Sequence, residues 1–132
     1  MRRAWLVLLL VVAAGCGSSP AAAGPFVAYE RVGGIAGTRD VVSVSTKGRV
    51  VVTQSRGEDR RYRLSAKRLK GLRSAVRAAD FPSLERRYAP EYPVSDGYTE
   101  TVRHGGTSVV VQTGAEPPAR LRRLLERLAG LL

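Results

Sequence analysis

The feature that most constrains this chain is a series of short segments in which apolar and polar residues alternate, separated by glycine-containing turns. Alternation places every second side chain on the same side of an extended backbone, so each segment is suited to a half-buried strand. Dipeptides such as Lys47-Gly48 allow the tight reversals that join neighbouring antiparallel strands. The candidate strands are residues 26–32, 39–46, 49–55, 60–64, 98–103 and 107–113.

Two further segments have the spacing of amphipathic helices. The first has an N-cap at Ser65 and ends at Phe81-Pro82, and the second has Pro117-Pro118 in its first turn. Residues 83–95 contain two prolines and predict a structured loop. The pattern therefore predicts an α+β fold, an antiparallel sheet of about five to six strands with two helices packed on one face. The apolar stripes are Leu69, Leu72, Val76 and Ala79, and then Leu121, Leu124, Leu125, Leu128 and Leu132.

The N-terminus reads as an export signal. Arg2 and Arg3 precede the apolar run 4–12, which is too short for a bilayer span of about 20 residues. The small residues 13–15 and the following Cys16 resemble a bacterial lipobox, which implies cleavage after residue 15, acylation of Cys16 and anchoring at the extracytoplasmic face of the cell membrane. The alternative is an ordinary secretory signal with a chance cysteine. The general secretory route is favoured over the twin-arginine route, because the apolar run is short and very apolar.

The predicted mature chain has a tether and one domain. Residues 16–25 are rich in small residues and proline and show no periodicity, which is typical of a linker. The nine residues 17–25 reach at most about 30 Å when extended, so the domain at 26–132 stays near the membrane. Of the 22 basic residues 20 lie after residue 15, together with all 11 acidic ones, which leaves a net charge of +9.

The sequence offers little catalytic chemistry. It contains one cysteine and one histidine, so a zinc site of several His or Cys ligands is excluded and no metal or cofactor is expected. His104 is predicted to be an exposed turn residue. Glu91 and Asp96 could form an acid/base pair, but such pairs are common by chance. Low aromatic content leaves no stacking platform for nucleic acid. We therefore expect neither an enzyme nor a nucleic-acid-binding protein.

Four segments of the chain resemble the emfourin family, small proteins that inhibit thermolysin-like metallopeptidases. They occur in the family's order and span most of residues 26–132. The resemblance implies a compact α+β domain that binds and blocks a secreted metallopeptidase. The segments are Glu30-Arg31-Val32-Gly33-Gly34-Ile35-Ala36-Gly37, Ala78-Ala79-Asp80-Phe81-Pro82-Ser83-Leu84, Asp96-Gly97-Tyr98 and Pro117-Pro118-Ala119-Arg120-Leu121-Arg122-Arg123-Leu124-Leu125.

If the resemblance extends to activity, the partner-binding residues lie in two of these segments. Both are glycine-containing or polar, which packing alone does not require. The alternative function is a lipoprotein without inhibitory activity, whose basic domain binds anionic lipid or wall polymer. The candidate contact residues are Gly33, Gly34, Ile35, Ala36, Gly37, Asp96, Gly97 and Tyr98.

Overall fold

The computed structural model describes residues 24–132. The predicted signal peptide (1–15), Cys16 and most of the predicted tether (16–25) lie outside the described residues. The strands are β1 (Val27–Gly33), β2 (Thr38–Val44), β3 (Arg49–Gln54), β4 (Arg60–Arg63), β5 (Arg87–Tyr88), β6 (Tyr98–His104) and β7 (Thr107–Gln112), and the helices are α1 (Ala66–Ala79) and α2 (Ala119–Ala129).

The strands form one sheet in the order β4-β3-β2-β1-β6-β7-β5. Every pairing is antiparallel except that of β5 with β7, which is parallel. The predicted α+β class is confirmed, but the sheet has seven strands instead of about five to six. The additional strand is β5, which lies within the segment predicted as a loop. Only two residues of β5 pair with β7, which is too few to show an alternation of apolar and polar residues.

The helix boundaries follow the predicted capping signals. The Ser65 hydroxyl accepts a hydrogen bond from the Arg68 amide at 3.2 Å, which satisfies one of the free N–H groups at the start of α1. The helix ends at Asp80, which adopts a left-handed conformation with φ 52°, and Phe81–Ser83 then form one 3-10 turn. α2 begins directly after Pro118, so the two prolines precede the helix instead of forming its first turn as predicted. The predicted stripes face the core, with Leu72, Val76, Leu121 and Leu124 all buried.

Alternation in the strands separates the two faces of the sheet. Inward residues such as Val42, Val52 and Val109 are fully buried against the helices, whereas Val41 and Val51 on the opposite face are half-buried. Both helices therefore cover the same face of the sheet. Among residues 24–132, the buried core extends from Val27 to Leu131. Within this described part of the chain, no helix is long and apolar enough to cross a membrane.

The strand registers define two ends of the sheet. At the end that we call the tip lie the β1–β2 loop (34–37), the β3–β4 turn (55–59) and the segment 91–97 that leads into β6. At the other end, the tether end, the chain enters β1 through Phe26.

Helix α1 crosses the tether end of the sheet. Its Leu69 side chain lies against Gly48 of the β2–β3 turn, and the Arg73 guanidinium donates a hydrogen bond to the carbonyl oxygen of Thr46. Further along the helix, Arg77 lines a pocket together with Phe26. The contacts therefore follow the end of the sheet from the β2–β3 turn to the start of β1.

Candidate functional site

The tip brings together two of the predicted binding segments, which are about 60 residues apart in the sequence. Gly33 pairs with Tyr98 in the β1–β6 register, and the Gly34 amide donates a hydrogen bond to the Gly97 carbonyl oxygen at 3.2 Å. Residues 33–37 and 96–98 therefore form one continuous surface. Nothing in the spacing of these segments along the chain predicts that contact, which depends on β1 lying between β2 and β6.

Close backbone contact at the tip requires glycine. Gly33 has φ 127°, and a Cβ atom there would lie 2.3 Å from the Gly97 carbonyl oxygen. Gly34 has φ 73°, and its Cβ atom would lie 2.6 Å from the Tyr98 hydroxyl oxygen. Positive φ values are unfavourable for residues with a Cβ atom, and here the space is also occupied. The two glycines thus hold the loop against the start of β6.

Exposed apolar side chains are concentrated at the tip. Ile35, at the top of the β1–β2 loop, is 91% exposed, and Tyr92 is 75% exposed. Exposed apolar side chains in one region are a recognised mark of a protein-binding surface. Ile35 and Tyr98 were predicted as contact residues, whereas Val32, Tyr92 and Val94 were not. The large apolar residues that the structure exposes within 24–132 are Val32, Ile35, Tyr92, Val94 and Tyr98.

An ion pair supports this surface from the helix-covered side. Arg31 donates a hydrogen bond to the buried Asp40 carboxylate at 2.9 Å, and its guanidinium lies 5.0 Å from the centre of the Tyr98 ring. A guanidinium at that distance is attracted by the face of an aromatic ring. The Nε atom of Arg31 is buried and has no hydrogen-bond partner among the described residues. Arg31 therefore links β2 to the start of β6 beneath the loop.

A second buried contact lies beside that ion pair. The Tyr29 hydroxyl donates a hydrogen bond to the Glu100 carboxylate at 2.5 Å. Burial, and then the hydrogen bond to Glu100, raise the pKa of Tyr29 well above its usual range. The tyrosine therefore remains protonated and holds β1 against β6. On the open face of the sheet, the hydrogen bond from Arg39 lowers the pKa of Glu30.

An open groove of about 630 Å³ adjoins the tip. Its walls come from residues 85–94 and 114–116, and Val94 also lines a smaller pocket beside Tyr98. Glu91 lines the groove and Asp96 lies in the adjoining turn with φ 59°, both exposed. The groove carries exposed carboxylates and aromatic rings, which suits a polypeptide surface better than a small apolar ligand.

The expectation for His104 was wrong. It is the last residue of β6, and its half-buried ring lies between Phe26 and Phe81, with centroid separations of 5.0 and 5.3 Å. Its Nδ1 atom lies 2.7 Å from the Phe26 carbonyl oxygen. The adjacent glycines form the turn by themselves, which leaves the histidine free to pack. This position is at the tether end, away from the tip.

Among residues 24–132, no group of three His, Cys, Asp or Glu side chains is arranged to hold a metal ion. The signal that could have extended the predicted site is Tyr92-Pro93-Val94, two apolar side chains around a proline in a loop.

Comparisons of this chain with family models, with curated proteins and with solved structures find no match.

Proposed function

We propose that this chain is a lipid-anchored, extracytoplasmic binding protein whose tip docks on a protein partner. The partner suggested by the emfourin-like segments is a secreted thermolysin-like metallopeptidase, which the tip would inhibit. Export and anchoring rest on the signal-like residues 1–15 and on Cys16. The partner-binding part rests on the surface at the tip.

One observation supports the tip above every other region. The segments 33–37 and 96–98 both carry the resemblance, and they share a surface that also holds the exposed large apolar side chains. Ile35 lies in the turn between β1 and β2 with its side chain almost fully exposed, so a partner can contact it. Burying an exposed isoleucine contributes about 1.5–3 kcal/mol, enough to make it an anchor.

The test is a titration of the soluble domain, residues 24–132, against thermolysin-like peptidases while cleavage of a peptide substrate is followed. The proposal expects stoichiometric loss of activity. Ile35→Asp should remove the inhibition, because a carboxylate would replace the apolar anchor. Ser74→Asp introduces the same charge on exposed α1 at the other end of the molecule and should inhibit as the parent domain does.

Two outcomes would count against the proposal. Full peptidase activity at molar excess of the domain would show that the thermolysin-like peptidases are not its partners. Equal loss of inhibition in Ile35→Asp and Ser74→Asp would show that the tip is not the contact surface. The first result would shift support to the alternative function, an envelope-binding lipoprotein without inhibition. The observation that favours this alternative is the charge of α1, which has five basic residues and no acidic one.

A further inference from the structure

A pocket of about 250 Å³ opens at the tether end, far from the tip. It is lined by Phe26, Arg73, Val76, Arg77 and His104. Phe26 and Val76 form the apolar part of this lining, and Arg73, Arg77 and His104 form its polar part. The Arg73 guanidinium also donates a hydrogen bond to the Thr46 carbonyl oxygen. Guanidinium groups bind phosphate oxygens with paired N–H donors, so this lining suits a phosphate group attached to an apolar body.

The pocket lies in a region where positive charge is not neutralised. Lys70, Arg73 and Arg77 are spaced three and four residues apart, so they follow one stripe of α1. Lys47 in the adjoining β2–β3 turn adds a further charge. None of these four side chains forms an ion pair with another residue of the described part of the chain. Neither α1 nor that turn contains an acidic residue.

Four of the 11 acidic residues lie in the turns and loops of the tip. Its turns and loops contain Glu58, Asp59, Glu91 and Asp96, against a single basic residue, Arg56. The loops of the tip therefore carry more acidic than basic residues, although Arg39, Arg60 and Arg122 lie near them, whereas the tether end is strongly basic. A molecule with such an asymmetry would orient in the field of an anionic surface, with the basic end toward it.

The position of the pocket in the chain agrees with the same orientation. Phe26, one wall of the pocket, directly follows the predicted tether at 16–25. The predicted tether joins the domain at this end, and attraction to charged lipids fades within about 10 Å, so the adjoining end is the one that the anchor brings closest to the membrane surface. The basic end is the one that the tether joins.

We propose that the pocket lined by Arg73 and Arg77, with the basic stripe around it, docks on an anionic lipid bilayer by binding headgroup phosphates. This contact would direct the tip away from the membrane. The inference extends the lipid-anchored part of the proposed function, but the binding needs no acyl chain. A failure of this binding is therefore distinguishable from a failure of acylation at Cys16 or of peptidase inhibition.

The experiment measures sedimentation of residues 24–132 with vesicles, at low and at high salt. One vesicle is pure phosphatidylcholine, and the other also contains phosphatidylglycerol. We expect binding to the phosphatidylglycerol vesicles alone, weakened by salt. Arg73→Gln together with Arg77→Gln should weaken it about 25-fold, because each basic group near an anionic surface contributes about fivefold.

The matched control removes the same charge from the opposite end. Arg56 lies in the β3–β4 turn, and Arg122 lines a groove with Gln112 and Thr113 near the tip end of β7. The double variant Arg56→Gln, Arg122→Gln should bind vesicles within about twofold of the parent domain. Lys70→Gln with Arg77→Gln is a second test variant, which keeps the hydrogen bond of Arg73 to Thr46.

Three results would overturn the proposal. The first is no binding to phosphatidylglycerol vesicles at low salt. The second is an equal loss in test and control variants, which would show a response to net charge without a defined surface. The third is equally tight binding to a soluble polyphosphate that competes with vesicles, which would identify a general polyanion site.

Discussion

The two ends of this sheet are built in different ways. The tip depends on a close fit, in which Gly33 and Gly34 press the β1–β2 loop against the start of β6 and the pair Arg31–Asp40 lies beneath it. At the tether end, helix α1 lies across the ends of the strands. The basic side chains on its surface form no ion pairs within the described residues. The difference indicates that shape is fixed at the tip, whereas charge dominates at the tether end.

Glycine substitutions should separate the two ends most strongly. Gly33→Ala introduces a Cβ atom 2.3 Å from the Gly97 carbonyl oxygen. We expect a loss of about 3 kcal/mol or more in the free energy of unfolding, because backbone strain alone costs about 1–3 kcal/mol. Gly105→Ala, with φ 55° and no atom within 4 Å of its Cβ, should cost about 1–2 kcal/mol. Urea unfolding measures both, and equal losses would show that the tip is not tightly fitted.

The half-buried ion pair between Arg31 and Asp40 beneath the tip should give the next largest effect. Asp40→Asn removes the charge that pairs with Arg31 and should cost about 1–3 kcal/mol. The control is Glu30→Gln on the open face, where the partner Arg39 is 65% exposed and the pair contributes under about 1 kcal/mol. If the control were as destabilising as Asp40→Asn, the contrast between buried and exposed pairs would fail.

High pH should loosen the contact between β1 and β6. Burial and the hydrogen bond to Glu100 raise the pKa of Tyr29, so the folded state keeps a proton that the unfolded state loses. Stability is then intact below the unfolded pKa of about 10 and falls above it by about 1.4 kcal/mol per pH unit. Tyr29→Phe should remove this slope. Unfolding curves at neutral and alkaline pH measure this slope of the free energy of unfolding. An unchanged slope in Tyr29→Phe would contradict the assignment to Tyr29.

Exposed residues at both ends should matter least for stability. Ile35→Asp at the tip and Arg77→Gln at the tether end should each change the free energy of unfolding by less than about 0.5 kcal/mol. Thermal unfolding measures this change, and it also shows whether both variants are folded before they are used in the binding experiments. A large loss in either variant would mean that the residue supports the fold and does not serve only as a contact.

The sequence predicts the architecture well where the signals are local. Alternation locates β2, β3 and β7, and the stripe through Leu72 and Val76 locates α1. It does not predict β5, because two paired residues beside prolines have no periodicity. Packing of His104 also escapes prediction, because its neighbours Phe26 and Phe81 come from distant parts of the chain.

The candidate site is only partly predictable for the same reason. Residues 33–37 and 96–98 stand out by resemblance, but their contact follows from the placement of β1 in the sheet. Val32 and Val94 look like ordinary core residues in the sequence. The pairing of Arg31 with Asp40 joins two adjacent strands whose register no local pattern specifies.

The central position of β1 has a consequence for how the chain acquires its structure. β1 pairs on one edge with β2, its neighbour in sequence, and on the other edge with the distant β6, where Tyr29 is opposite Val102. The core is also incomplete until α2 supplies Leu121 and Leu124, near the end of the chain. Distant pairings of this kind slow folding. A nascent chain therefore cannot complete its core until α2 has been synthesised, so most of the domain is made before it can adopt its final structure.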